Sequence, residues 1–173
     1  MNFNITIRQR RIGIEYPVYI IAELSANHNQ DYNQALELIR AAKNAGADAV
    51  KIQTYTPDTI TIDCDNEFFI ICNVTFWEGK NLYALFGVAY TPWEWHIELK
   101  GFANSIGLDF FSTPFDITSV EFLEKIQVPA YKIASFEIVD IPLIRKIAQV
   151  GKPIILSTGM ASYSEISHAL FCL

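Results

Sequence analysis

Ala130-Tyr-Lys-Ile-Ala-Ser-Phe-Glu137 reads as a short strand running into a loop, with an apolar body that should carry no charge. Lys132 nevertheless sits in its middle, and Ser135 and Glu137 follow at its end. Successive strand residues point to opposite faces, so Lys132 groups with Ala134 and Ser135 groups with Tyr131 and Ile133. The two polar residues do not share a face in an ideal strand, and the chain must turn near Ser135. A cation inside an apolar strand is costly unless an anion or a polar cavity meets it. The stretch therefore reads as one wall of an anion-binding site.

The same grammar repeats on both sides. Upstream, Val18-Tyr-Ile-Ile-Ala22 is a continuous apolar run, expected as a strand buried on both faces, and it ends in a polar loop opening with Glu23. A helix is expected over 32–45, with Leu36 and Ile39 at helical spacing and Gly46 just past its end. A strand over 47–54 follows, its pattern interrupted by Lys51 and Gln53. Residues 55–90 read as an irregular insertion with no long helix, the length at which connections are usually lids or binding loops. Thr91-Pro-Trp-Glu94 reads as a helix start with Thr91 as cap, Pro92 in the first position and Glu94 closing a capping box. That helix should run to 106. A strand over 108–112 then ends in Ser112-Thr-Pro, and Asp116 can cap a helix carrying Val120, Leu123 and Ile126.

Downstream of the opening stretch, Asp140 can cap a helix with Pro142 in its first turn and Gly151 beyond its end. A strand over 153–156 delivers Ser157-Thr-Gly, and Ser162 with Glu165 forms another capping box. Residues 1–16 read as a lead-in, a hairpin over one end of the fold. The order is β-α five times with near-continuous apolar strands, which gives a parallel sheet with right-handed crossovers. Nearly even spacing, and no Gly-x-Gly-x-x-Gly after the first strand, favour an incomplete (β/α)8 TIM barrel over a dinucleotide-binding sheet. About five of eight units are present, and residues 17–173 form this barrel part.

Composition narrows the function. Of the 173 residues 51% are hydrophobic and only 18% charged, so a large core and some apolar surface awaiting cover are expected. A net charge of −6 argues against nucleic acid or an anionic membrane as partner. Cys64, Cys72 and Cys172 form no C-x-x-C pair and read as free thiols of a reducing, cytoplasmic setting, although a Cys64–Cys72 bridge is an alternative. Neither a signal peptide nor a membrane-spanning run is expected.

Every strand delivers its unusual residues near its C-terminal end: Glu23, then Lys51 and Gln53, then Ser112 and Thr113, then Lys132, Ser135 and Glu137, then Ser157 and Thr158. Individually these read equally well as turn residues or as lysines reaching solvent. Jointly they describe the end of a (β/α) barrel where chemistry happens. Two lysines with Ser/Thr turns could hold a phosphate or carboxylate, with Glu23 or Glu137 binding hydroxyls or moving protons. His28 could contact a ligand, His96 reads as a helix residue that is packed or solvated rather than a ligand, and no metal-ligand spacing occurs.

The runs Ile21-Ala-Glu-Leu-Ser-Ala-Asn-His-Asn29, Lys51-Ile-Gln-Thr-Tyr-Thr-Pro-Asp-Thr59, Ser112-Thr-Pro-Phe-Asp116, the opening stretch, and Gly151-Lys-Pro-Ile-Ile-Leu-Ser-Thr-Gly159 resemble, in series, the sialic acid synthase family. The resemblance implies a barrel enzyme that condenses phosphoenolpyruvate with the open-chain aldehyde of an N-acetylated amino sugar. It implies Lys51, Lys132, Ser135 and Ser157 as phosphoenolpyruvate ligands, Gln53 and Thr113 lining the reacting carbons, and Glu23 and Glu137 as the carboxylates of the acceptor end. It also implies a divalent ion, Mn2+ or Mg2+, polarising the aldehyde, and a homodimer. The metal-binding histidines belong to three further β-α units, which the family follows with a small antifreeze-like domain, so no metal ligand is expected in this chain. The chain is thus expected to be an N-terminal part that is inactive alone. Gln30 stands where the family often has Gly.

Overall fold

A computed structural model describes residues 4–72 and 77–173. The first three residues of the lead-in, and 73–76 of the insertion, lie outside the described residues. Two strands, β1 (Ile5–Ile7) and β2 (Arg10–Ile12), form an antiparallel hairpin. Five more, β3 (Ile21–Glu23), β4 (Ala49–Thr54), β5 (Asp109–Pro114), β6 (Tyr131–Ile133) and β7 (Ile154–Leu156), form one parallel sheet in sequence order. Sequential parallel order with a helix in each crossover is the wall of a (β/α)8 barrel, of which these five strands are a half-barrel.

The helices form where their caps put them. Asp31 accepts from the backbone N–H of Asn33 and Gln34 to start α1 (Tyr32–Asn44), and Gly46, at φ +88, carries the chain away from its end. Asp116 and Ser119 close a capping box on α5 (Ile117–Lys125), Asp140 caps α6 (Ile141–Ala148), and Ser162 with Glu165 caps α7 (Tyr163–Cys172). Two helices cover the outward face of the first strands: Ala35 and Ile39 of α1, and Leu99 and Ala103 of α4 (Trp95–Ser105), pack on Val50, Ile52 and Phe110. Helices α5 and α6 bring Val120, Leu123, Leu143, Ile144 and Ile147 onto Tyr131 and Ile133. Full burial of each such side chain contributes about 1.5–3 kcal/mol.

The expected lead-in hairpin closes the N-terminal end of the strands. Arg10 pairs with Asp48 just before β4, and Arg8 reaches Asp109 at the start of β5 (3.2 Å) and Asn104 (2.7 Å). Tyr19 donates to the same Asp109 at 2.6 Å, and Ile7, 1% exposed, joins the core with Ala49 and Phe111.

Three expectations need correction. The 18–22 run is not a strand buried on both faces: the strand is Ile21–Glu23, and Val18 is 79% exposed. Within that strand Ile21 and Ala22 are only partly buried and Glu23 is exposed, and β3 pairs with β4 on one side. The capping box at Thr91 does not form. The helix starts at Trp95 after a turn in which Trp95 N and His96 N bond Pro92 O and Trp93 O, both at 3.1 Å, while the buried Thr91 hydroxyl meets His28. And the insertion holds real helix: α2 (Pro57–Ile60), a 3-10 turn at Glu67–Phe69, and α3 (Leu82–Ala89) capped by Asn81. The α3 sequence Leu-Tyr-Ala-Leu-Phe-Gly-Val-Ala is apolar all round, so it shows no helical period.

Candidate active site

Register assembles the site. Glu23 pairs with Lys51 and Lys51 with Phe111, while Gln53 pairs with Thr113. Ser112 pairs with Tyr131, which sets Thr113 level with Lys132, and Lys132 pairs with Ile155, two residues before Ser157. Paired residues of parallel strands share a face. Glu23, Lys51, Gln53, Thr113, Lys132 and Ser157 therefore stand on one face, opposite the helix-covered one. All six lie near the C-terminal ends of their strands, the end where barrel enzymes carry their chemistry.

The contacts link them. The Lys51 ammonium forms an ion pair with Glu23 and donates to Thr113 Oγ1 at 3.1 Å. Glu23 Oε1 also accepts from the Ser25 backbone N–H at 3.1 Å and its hydroxyl at 3.2 Å. Lys132 Nζ donates to the Ile133 carbonyl at 2.6 Å, and Ser157 N donates to that same oxygen at 3.0 Å. The β6 lysine and the β7 exit thus meet on one acceptor. Ser135 does turn: the strand ends at Ile133, and Ser135 adopts φ −69, ψ −28 at the head of a 3-10 turn, Phe136–Val139. Its side chain then faces the loop after Ser157, where a Cβ on Gly159 would stand 3.6 Å from the Ser135 Cβ.

Burial tunes the charges. Lys51 is lowered from 10.5 to about 8, first by burial and then by the like charge of Lys132. The ion pair with Glu23 opposes that lowering, but the Glu23 side chain is 38% exposed and water screens it. Lys132 is also lowered by burial, with Glu137 opposing. Glu137 is raised above the usual carboxylate range, chiefly by burial and then by Asp140. Its Oε2 is buried with no hydrogen-bond partner among the described residues. An orphaned buried carboxylate oxygen within the field of Lys132 is a group waiting for a donor.

Two polar residues stand elsewhere than the sequence reading put them. Ser112 faces the helices, fully buried, bonded to Thr54 Oγ1 at 2.6 Å and Ile52 O at 3.1 Å. His28 does not line the site: it is 1% exposed and its Nε2 meets Thr91 Oγ1 at 3.0 Å. His96 is packed, 0% exposed, between Thr54 Oγ1 (2.9 Å) and Pro92 O (3.1 Å). What sequence reading missed is that Thr54 and Ser112 are hydroxyls on the helix side of strands β4 and β5. Strand parity could have shown it, since each neighbours a residue of the opposite face.

A metal does not fit the side chains present. Among the described residues no three His, Cys, Asp or Glu groups converge, and His28 and His96 are committed to hydroxyls and backbone. Also among them, no helix is long and apolar enough to cross a membrane.

Fold and site together define a (β/α)-barrel wall whose strand ends carry two lysines and hydroxyls on one face. The chain belongs to the NeuB family, whose model matches residues 38–173. It is 51% identical over 154 residues to a pseudaminic acid synthase of Helicobacter pylori, covering 89% of this chain and 45% of that protein. To an N,N'-diacetyllegionaminic acid synthase of Legionella pneumophila it is 37% identical over 158 residues, covering 91% and 44%. The crystal structure of an N-acetylneuraminic acid synthetase of Leptospira borgpetersenii in complex with citrate superposes with a TM-score of 0.84 at 35% identity, covering 99% of this chain and 55% of that one. The chain spans about half the length of the curated relatives it matches.

Proposed function

We propose that this chain is the phosphoenolpyruvate-binding half of a pseudaminic acid synthase. The carrying observation is the shared face of Lys51, Lys132, Thr113 and Ser157, with Ser135 turned toward the β7 exit. In this reading the lysines meet the phosphate and carboxylate, the hydroxyls of Ser135 and Ser157 donate to them, and Gln53 and Thr113 line the reacting carbons. Charge-assisted bonds of this kind are the strong ones.

The reaction follows from the bonds. The methylene carbon of phosphoenolpyruvate attacks the aldehyde of the sugar, whose oxygen takes a proton. Water adds at the neighbouring carbon, and the C–O bond to phosphate breaks to leave a 2-keto acid. Glu23 organises the acceptor end or takes the proton from water, and Glu137 receives a sugar hydroxyl or amide at its free oxygen. A divalent ion would polarise the aldehyde as a Lewis acid, but these residues offer no ligand set for it, and no step here runs through it.

The acceptor is 2,4-diacetamido-2,4,6-trideoxy-L-altrose. Supporting it over legionaminic acid and N-acetylneuraminate chemistry are the 51% against 37% and 35% identities and the runs Gln53-Thr-Tyr-Thr-Pro-Asp-Thr59 and Thr91-Pro-Trp-Glu-Trp-His96, which resemble pseudaminic acid synthases. The test joins this chain to the C-terminal part of the Helicobacter relative and measures phosphate release with each of the three acceptors. Fastest release with the altrose sugar is expected; preference for another acceptor overturns the assignment. The chain by itself, with five of eight barrel strands, is expected to release none.

A further inference from the structure

The buried polar groups behind the site are as ordered as those in it. At the exits of β4 and β5, Thr54 and Ser112 point into the helix layer, both 0% exposed, while their sequence neighbours Gln53 and Thr113 face the site. His96, from the first turn of α4, reaches them. Its Nδ1–H donates to Pro92 O at 3.1 Å, so its Nε2 is bare and accepts the Thr54 hydroxyl at 2.9 Å. Thr54 Oγ1 is left to accept from Ser112 at 2.6 Å. The second histidine does the same for β3. His28 Nδ1 accepts the Gln30 N–H at 3.1 Å, so its Nε2–H donates to Thr91 Oγ1 at 3.0 Å, in the turn that leads into α4. Gln30 holds the same turn through Tyr90 O, and Trp93 Nε1 donates to the carbonyl of Tyr55, at the β4 exit, at 3.1 Å.

We propose that His28 and His96 are positioning residues, and that the segment from Thr91 to His96 is a brace fixing the exits of β3, β4 and β5 so that Glu23, Lys51 and Thr113 meet. The brace is stiff because its buried hydroxyls and ring nitrogens are bonded within it and to nearby backbone, and leaving any unmade costs its full desolvation. It also holds both imidazoles neutral: burial lowers His28 and takes His96 to about 4. Thr113, which accepts from Lys51, is one peptide bond from Ser112, so a shift at His96 reaches the lysine through three hydrogen bonds and that peptide bond. That these groups meet a substrate rests on the reading above; the brace does not.

The test reads the Lys51 amine directly. Acetylation of Lys51 by acetic anhydride is followed against pH in the whole chain by peptide mass spectrometry. In the wild type its midpoint is expected at about 8. His96→Leu and Thr54→Val are each expected to move the midpoint up by about one pH unit, as a loosened site admits water. His96→Gln, whose amide oxygen reaches where Nε2 stood, is expected to keep it. Circular dichroism identifies the folded variants, and the near-isosteric Thr54→Val decides the matter where His96→Leu does not fold. An unchanged midpoint in the folded Leu or Val variant overturns the brace, as does an equal shift in His96→Gln. Phosphoenolpyruvate added to the wild type should slow Lys51 acetylation. Failure of that protection alone counts against the substrate reading and leaves the positioning result standing.

Discussion

Lys51→Met should make the chain more stable and worse at its task. Lowering a lysine from 10.5 to about 8 means that folding at neutral pH costs about 3 kcal/mol through this one group. Methionine removes that cost and keeps most of the stem packing. Against it stand the lost hydrogen bond to Thr113, about 1 kcal/mol, and the ion pair with the part-exposed Glu23, at most about 1 kcal/mol. The net expectation is a gain of about 1 kcal/mol at pH 7. The sign with pH follows from the direction of the shift. Between about 8 and 10.5 the unfolded chain holds the proton and the folded chain does not, so wild-type stability rises across that window and the variant's advantage shrinks. Urea unfolding followed by tryptophan fluorescence at pH 7 and pH 10 measures both. A Lys51→Met variant that is less stable at pH 7, or an advantage that grows with pH, refutes the reasoning that burial rather than the ion pair dominates at Lys51.

Other outcomes follow from the same contacts. Glu137→Gln should be neutral to stabilising at pH 7, by up to about 1 kcal/mol, because it removes a buried anion with an unpartnered oxygen. Since the folded carboxyl is raised, the gain should vanish as pH falls below the unfolded carboxylate's range, which denaturation at about pH 3 checks. Asp116→Ala should cost about 1 kcal/mol by opening the capping box of α5, read as a lower urea midpoint at unchanged slope. Phe111→Ala, fully buried beneath the site face, should cost about 3–5 kcal/mol and unfold the chain or leave it marginal in thermal melts.

The sequence showed the strands and their polar ends because near-continuous apolar runs and Ser/Thr exits are local signals. The half-barrel and the shared end of Lys51, Thr113, Lys132 and Ser157 were legible on that basis. What was illegible depended on neighbours. Val18 lies before β3 rather than in it and is exposed, although its apolar run looks like strand. Thr91 looks like a cap, but a buried histidine from another loop competes for its hydroxyl and wins. Ser112 carries the same chemistry as Thr113 and differs only in parity, so its role as a strut was hidden behind its resemblance to a ligand. The free oxygen of Glu137 came from the 3-10 turn after Ser135, a feature four residues long with no periodicity to betray it.

The central claim is that the face shared by Lys51 and Lys132 holds phosphoenolpyruvate. Titrating this chain into phosphoenolpyruvate and following the 31P resonance tests it most directly, with Lys51→Met and Lys132→Met as controls. The account predicts saturable broadening in the wild type, with affinity reduced at least about tenfold by either substitution, as loss of a charge-assisted bond of about 1.5–3 kcal/mol requires. Binding equally strong in both variants, or none in a folded wild-type chain, would contradict it.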